Sequence, residues 1–377
     1  MQIFRPFRQV LLFLFLVLIG GCVTQFIPDT TEDQDLLVVE GLITDQPGQN
    51  KIKISTSTHL GERNSPKPLV GCNVTISDDE GNNFNFNETS GGTYVADPSF
   101  HGVIGRSYAL HIYAGSSRHN LSYQSAPVLL KPVPAIDSVY YERRVFTRME
   151  DGSPTGEGCQ IFLDTHDPSN NCKFYRWEYV ETWEFSLPYL VPNSHCWVTD
   201  YSDNINIKNT TSLSESIIVK LPLDLVTNAT DRLKERYSIL VNQYSITEEE
   251  YLYWEKLQNV VEQVGSLYDL TPATIPSNIV CVENPDEKVL GYFSVSGVQS
   301  RRIFIKEFFR GIADLYKNCE HAVIDGSEVP PDLGNTVWII IDHQSPPSYR
   351  VLTYTKGCAD CTVRGTTVEP DFWRNSK

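Results

Sequence analysis

Basic charge is scarce in this chain: 31 Lys and Arg stand against 47 Asp and Glu, a formal net charge of −16. An acid excess of that size argues against binding a phosphate backbone, so nucleic acid is not an expected partner and the acids read as solvated surface. The signatures of common chemistry are also missing. There is no G-x-x-x-x-G-K-[ST] phosphate loop, no H-E-x-x-H and no G-x-S-x-G elbow. The eight histidines are scattered, none three or four residues from another, which removes the usual metal-ligand spacing. Internal repeats and low-complexity tracts are absent as well. These gaps lead to the expectation of a protein without catalytic residues, metal or cofactor.

Long apolar runs are equally few. The only one, Val10 to Ile19 (VLLFLFLVLI), follows Arg5 and Arg8 and precedes Gly20, Gly21 and Cys22. It is too short to span a bilayer, which needs about 20 apolar residues, and it fits a signal-peptide core. Ile19-Gly20-Gly21-Cys22 resembles a bacterial lipobox, in which the cysteine is lipidated and becomes the new N-terminus; a cleaved signal with a chance cysteine is the alternative. Residues 1–21 carry two arginines and no acid, so the chain from Cys22 onward has a formal charge of −18. About 355 residues exceed one ordinary core and suggest two domains.

Setting Cys22 aside for lipid leaves Cys72, Cys159, Cys172, Cys196, Cys281, Cys319, Cys358 and Cys361. The number is even and the chain is exported, so all eight are disulfide candidates, with a connectivity that spacing does not reveal. Cys358 and Cys361 form a C-x-x-C pair. A redox motif needs a helix behind its first cysteine, and KGCADCTVRGT is interrupted by Gly365 and Pro370. Zinc needs a second ligand pair, and none is present. The pair therefore reads as the ends of structural disulfides to partners such as Cys319 and Cys281, pinning the C-terminal segment.

What is plentiful is period-2 patterning. Residues 22–35 are polar and acidic, the composition of a tether. From 36 to 132 short alternating runs recur: LLVVEGLITD, KIKIST, then Cys72, Val74 and Ile76, then Phe84 and Phe86, then Tyr108, Leu110 and Ile112, separated by turn residues. This reads as a β-sandwich, Ig-like or regulatory-like. EGLITD, PLVGCNVTISDDEG and TSGGTY together resemble the regulatory-like modules of cell-surface proteins, which implies a spacer or docking module. Asp78, Asp79 and Glu80 could hold a metal but sit before Gly81-Asn82-Asn83, where a hairpin turn is the simpler reading. Pro127, Pro132 and Pro134 break the chain and place a boundary near 133.

The region 133–377 is expected to be a second β-rich domain with a helical insertion and a cysteine-rich tail. FYRWEYVETWEF puts Tyr175, Trp177, Tyr179 and Glu181 on one side of a strand. A helix is expected at 247–265, with Thr247 as N-cap, Glu250 closing a capping box, Gly265 as the stop, and a packing stripe at Tyr253, Leu257, Val260 and Val264. His166 and Asp167 in THDPSNN read as turn formers rather than calcium ligands. Sequons occur at Asn73, Asn87, Asn120, Asn209 and Asn228, incidental if the chain is bacterial. Asp29-Thr30-Thr31 and Asp137-Ser138-Val139 resemble O-glycosylation sites of exported Bacteroidota proteins, and both fall in expected linkers.

Four segments carry one family resemblance: the lipobox, LLVVEGLITD, IPSNIVCVENPDEKVLGYFSVSGVQSRRIFI and CADCTVRGTTVEPDFW. They resemble the Bacteroidota lipoproteins with domain of unknown function 4249, over nearly all of the chain after Cys22. The resemblance implies an outer-membrane lipoprotein encoded beside a TonB-dependent receptor, with no established activity. VTQFI after Cys22 lacks the acidic cluster that accompanies surface display, so the cell-surface and periplasmic faces both remain open. The expected function is non-enzymatic: ligand capture for, or docking on, a TonB-dependent transporter. Exposed aromatics among Trp177, Trp183, Trp197 and Trp254 would offer a glycan or peptide a face, although core packing explains each more simply. The alternatives are an enzyme, either a thiol-disulfide oxidoreductase at Cys358 and Cys361 or a hydrolase assembled from distant residues, and a structural or assembly lipoprotein.

Overall fold

The computed structural model describes residues 36–57, 66–148, 152–188, 191–263, 275, 277–317, 319, 321–324, 337–340, 350–353 and 356–374. Cys22, the tether at 22–35, Asp29-Thr30-Thr31, Val264 and Gly265 lie outside them. The fold is mainly β, as the alternating runs require.

The first sheet takes its hydrophobic face from the runs named above. In spatial order its main strands are Ile279–Cys281, Ser122–Ser125, Ser107–Tyr113, Asn73–Asp78, Asn83–Ser90, Thr93–Val95, Lys51–Thr56, Leu37–Thr44 and Val289–Ser296. Ile52 and Ile54, Val74 and Ile76, and Tyr108, Leu110 and Ile112 all point into one buried core. The sheet nearly closes on itself. Asn278 Nδ2–H donates to the Phe293 carbonyl at 2.8 Å, and the Phe293 N–H donates to Asn278 Oδ1 at 2.9 Å, joining the two ends.

Two of those strands come from far beyond residue 133. Leu37–Thr44 pairs on one side with Lys51–Thr56, antiparallel, and on the other with Val289–Ser296, parallel. The sandwich expected at 36–132 is therefore completed by residues 279–296, after the chain has built most of the second body. Close backbone approach makes this pairing depend on glycine. Gly291 has φ +87°, and a Cβ there would sit 2.0 Å from the Val39 carbonyl oxygen.

The second body is a sandwich of two sheets. One holds Ile136–Thr147, Pro154–Asp167 and Ser216–Val226; the other runs His195–Tyr201, Phe174–Ser186, Tyr237–Ser245, Val298–Ile305. They share one core, in which Tyr175, Trp177, Tyr179 and Trp183 are buried, Trp177 at 1 % exposure. The aromatic face of FYRWEYVETWEF is core. The chain passes directly from the first sheet to this one: Val289–Ser296 and Val298–Ile305 are separated only by Gly297, whose N–H donates to the Lys131 carbonyl at 3.1 Å. A Cβ at Gly297 would meet that carbonyl oxygen at 2.6 Å. The segment KVLGYFSVSGVQSRRIFI thus knits the two bodies together.

The helix is Glu248–Gln263. Thr247 Oγ1 accepts from the Glu250 N–H at 3.2 Å, the N-cap bond expected. The reciprocal half of the capping box is absent, because the Glu250 carboxylate turns inward instead. A further three-stranded sheet holds His321–Ile324, Arg350–Thr353 and Val337–Ile340.

The tail is bolted to the second body. Cys358 bonds to Cys319, and Cys361 to Cys196. The Trp197 and Thr366 backbones exchange hydrogen bonds at 2.9 Å in each direction. Arg364 pairs with the buried Asp231, and Trp373 is buried where Arg236 lies over its ring at 4.5 Å. Cys319 is the partner the tail was expected to find, but Cys281 is not. Cys281, Cys72, Cys159 and Cys172 remain free thiols, so the expectation that all eight pair is corrected. Cys281 lies in the first core with Cys72 packed against it, and Cys159 and Cys172 lie in the second, so the four are held apart at separate places in the fold.

Candidate functional site

Each residue singled out from the sequence has a definite place. Asp78 is a turn organiser: its carboxylate accepts from the Glu80 N–H at 3.1 Å and the Asn82 N–H at 2.8 Å. Burial works against its charge, yet those bonds and Arg106 outweigh it and hold the carboxyl below its usual range. Asp167 does the same work in THDPSNN, accepting from the N–H groups of Ser169, Asn171 and Cys172 at 3.0, 2.7 and 2.7 Å. His166 instead bonds Asp137 at 2.7 Å. Ser138 lies within the strand Ile136–Thr147, not in a linker, and donates to Asp164 at 3.0 Å.

Cys358 and Cys361 are bonded to different partners, so the C-x-x-C residues are not bonded to each other in this structure. The remaining thiols are poor nucleophiles: burial pushes Cys159 up to about 12 and Cys172 up to about 11.

Three polar assemblies were invisible in the sequence. In the second core, Arg232 Nη1 donates to both oxygens of Glu181 at 2.8 Å, and the buried Tyr237 hydroxyl donates to Glu181 Oε1. Burial raises the Glu181 carboxyl against the pull of Arg232 and Tyr237. Glu181 is buried and Arg232 only part-exposed, the arrangement of a structural ion pair at the edge of a core.

On the outer strands, Ser186 Oγ lies 3.0 Å from His195 Nδ1, and Glu184 Oε2 lies 3.7 Å from His195 Nε2. Hydroxyl, imidazole and carboxylate meet here as a hydrolase would need. However, Ser186 and His195 are directly opposed cross-strand partners, so register alone brings them together. Ser186 Oγ also lies 3.3 Å from Glu235 Oε2, so a second acceptor competes with the imidazole for its one hydrogen.

The third assembly lies where the two bodies meet the helix. Arg176 sits on the strand Phe174–Ser186, on the face opposite the aromatic core residues, and is only 6 % exposed. Its guanidinium is held between the Tyr244 and Trp254 rings, 4.8 Å from each centroid, and it donates to Glu178 Oε1. Glu250, fully buried, faces it at 3.9 Å. Ser294 Oγ donates to Glu250 Oε1 at 2.7 Å and Trp254 Nε1 at 3.1 Å. Burial pushes the Glu250 carboxyl above the usual range, against the pull of Arg176 and of those two bonds. Glu250 Oε2 and Arg176 Nε are buried without a hydrogen-bond partner among the described residues.

A cleft of about 380 Å³ opens beside this cluster, bounded by the strands Leu37–Thr44, Lys51–Thr56 and Val289–Ser296 and by the helix. Arg176, Trp254 and Ser294 belong both to its wall and to the buried cluster. Tyr253, Lys51 and Glu178 complete much of its rim. A larger crevice of about 660 Å³ lies along Lys131–Pro134 and the 167–174 loop, but its polar groups are already occupied by structure. Asp167 there serves its turn, and Ser245 Oγ donates to the Lys131 carbonyl at 2.7 Å. The smaller cleft is the better candidate because its polar groups converge and stay incompletely satisfied.

Sequence reasoning picked out Glu250 only as a cap and Trp254 only as one aromatic among several. The missing signal was Arg176, a cation on the outward face of an aromatic strand. No curated protein matches the chain. The family profile described as "Domain of unknown function (DUF4249)" matches residues 23–302, a span that includes the Arg176–Glu250 cleft and ends short of the cysteine-rich tail, and on that match the chain belongs to the DUF4249 family.

Proposed function

We propose that this chain is a non-enzymatic outer-membrane lipoprotein that captures a ligand in the Arg176–Trp254–Ser294 cleft and acts as an accessory or docking partner of a TonB-dependent transporter. The observation that carries the capture reading is the Arg176–Glu250 cluster. A buried ion pair of this kind is costly and contributes little net stability, so its place beside an open aromatic cleft favours a role in binding. Residues 5–22 support lipid anchoring at Cys22, and the family resemblance supports the transporter as partner. Docking is tested by solubilising native membranes in mild detergent and identifying what co-purifies. An outer-membrane barrel recovered with the wild-type chain, and lost when Cys22→Ala releases it from the membrane, supports the reading. Repeated recovery without a barrel removes it.

A further inference from the structure

We propose that the cleft binds a glycan, with sugar rings packing their C–H faces on Tyr253 and Trp254 while their hydroxyls bridge the charged side chains of the rim. The proposal rests on the capture reading above and names its ligand class.

Three features of the cleft select this chemistry. First, its aromatic wall is partly open. Tyr253 meets Trp254 edge to face at 5.3 Å and packs on Tyr292 at 4.8 Å between ring centroids, and both Tyr253 and Trp254 stay half-buried, with Arg176 covering one face of Trp254. Flat, partly solvated rings suit the weakly apolar face of a pyranose better than a fully apolar ligand, which would want an enclosed pocket.

Second, the rim carries both signs. Lys51 and Lys53 stand on one strand, Glu40 beside them and Glu178 across the cleft. A phosphate or carboxylate ligand would favour a cluster of cations, and the glutamates oppose it. Hydroxyl groups both donate and accept, so they use lysine and glutamate alike.

Third, two of the three strands that bound the cleft, Leu37–Thr44 and Lys51–Thr56, offer a peptide no free edge, and the outer edge of Val289–Ser296 is tied at Phe293 to the Asn278 side chain. The strand Leu37–Thr44, which lines the cleft through Glu40, Gly41 and Leu42, is paired along both edges. Its backbone groups are therefore unavailable for β-augmentation, the usual way a sheet receives an extended peptide.

The test uses the full chain in detergent, titrated with cello-, xylo-, manno- and chito-oligosaccharides by calorimetry and by tryptophan fluorescence. The expected result is saturable binding of at least one of them. Tyr253→Ala should weaken it about tenfold and Lys51→Ala about threefold, the latter without change in the unfolding midpoint because Lys51 is exposed. If none of the four series binds, or if binding is indifferent to both substitutions, the glycan proposal is overturned. A random peptide mixture run in parallel separates the two levels of inference. Peptide binding that Lys51→Ala weakens overturns the glycan while leaving capture standing, whereas silence from sugars and peptides alike overturns both.

Discussion

The two bodies of this protein are stabilised differently, although both are antiparallel-rich sandwiches. The first core is built mainly from Leu, Ile, Val, Phe and Tyr, and its ion pairs, Asp78–Arg106 at a turn and Arg118–Glu287 beside Tyr123, sit at its margin. The second core carries stacked Tyr175 and Trp177 and an ion pair, Glu181–Arg232, within it. Both observed disulfides also belong to the second body, while Cys72 and Cys281 of the first stay reduced. An alternating aliphatic sheet buries enough surface to hold without covalent help. A sandwich that encloses charge, and whose last segment is a tail with little regular structure, gains from a covalent link.

The strongest challenge to that contrast is to remove the Cys196–Cys361 link with Cys196→Ser and Cys361→Ser together. The cysteines are 165 residues apart, and loop-closure entropy places the loss at about 5 kcal/mol, read by urea denaturation. The second body should unfold early while the first sheet keeps its amide-exchange protection. Simultaneous loss of both would show that the contrast does not extend to stability.

Next in size is the charge inside the second core. Arg232→Ala strands Glu181 in an apolar setting and should cost about 3 to 5 kcal/mol. Arg106→Ala, the matching change in the first body, should cost about 1 kcal/mol or less, because its pair sits at a part-exposed turn. Equal effects in thermal denaturation would erase the distinction.

The smallest effect is a pH dependence. Glu250 has its carboxyl raised in the folded state, so it binds more protons folded than unfolded and its contribution falls as pH rises from the ordinary carboxylate value toward the folded one. Asp78 is lowered, so its contribution is present above the ordinary value and is lost as pH falls through the folded one. Unfolding midpoints followed between about pH 2 and pH 8 should flatten above the ordinary carboxylate value in Glu250→Gln. Asp78→Asn should change only the acid side. Identical pH profiles for the two variants would contradict the assignment.

Much of this architecture was legible in the residues, and the reason differs by element. Ile52 and Ile54, or Tyr175 and Trp177, announce a buried face because successive side chains in a strand alternate sides, which is a local property. Thr247 announced the start of the helix, since an N-cap acts over a single turn. Cys358 and Cys361 announced staples once the expected export and the absence of a following helix were weighed. The strand that closes the first sheet was not legible: Val289–Ser296 alternates like its neighbours, and alternation says nothing about which strand lies alongside. Arg176 and Glu250 were equally hidden as a pair, being 74 residues apart in sequence.

The sequence by itself thus determined a mainly β chain, its buried faces, its helix start and its tail of structural cysteines, because each follows from neighbouring residues and elementary stereochemistry. Only the tertiary structure decided that residues 279–296 return to complete the first sheet, that four of the described cysteines stay unpaired, and that Arg176, Trp254, Glu250 and Ser294 converge beside one cleft. Strand pairing and burial depend on contacts between distant segments, and a periodic pattern leaves those partners unspecified.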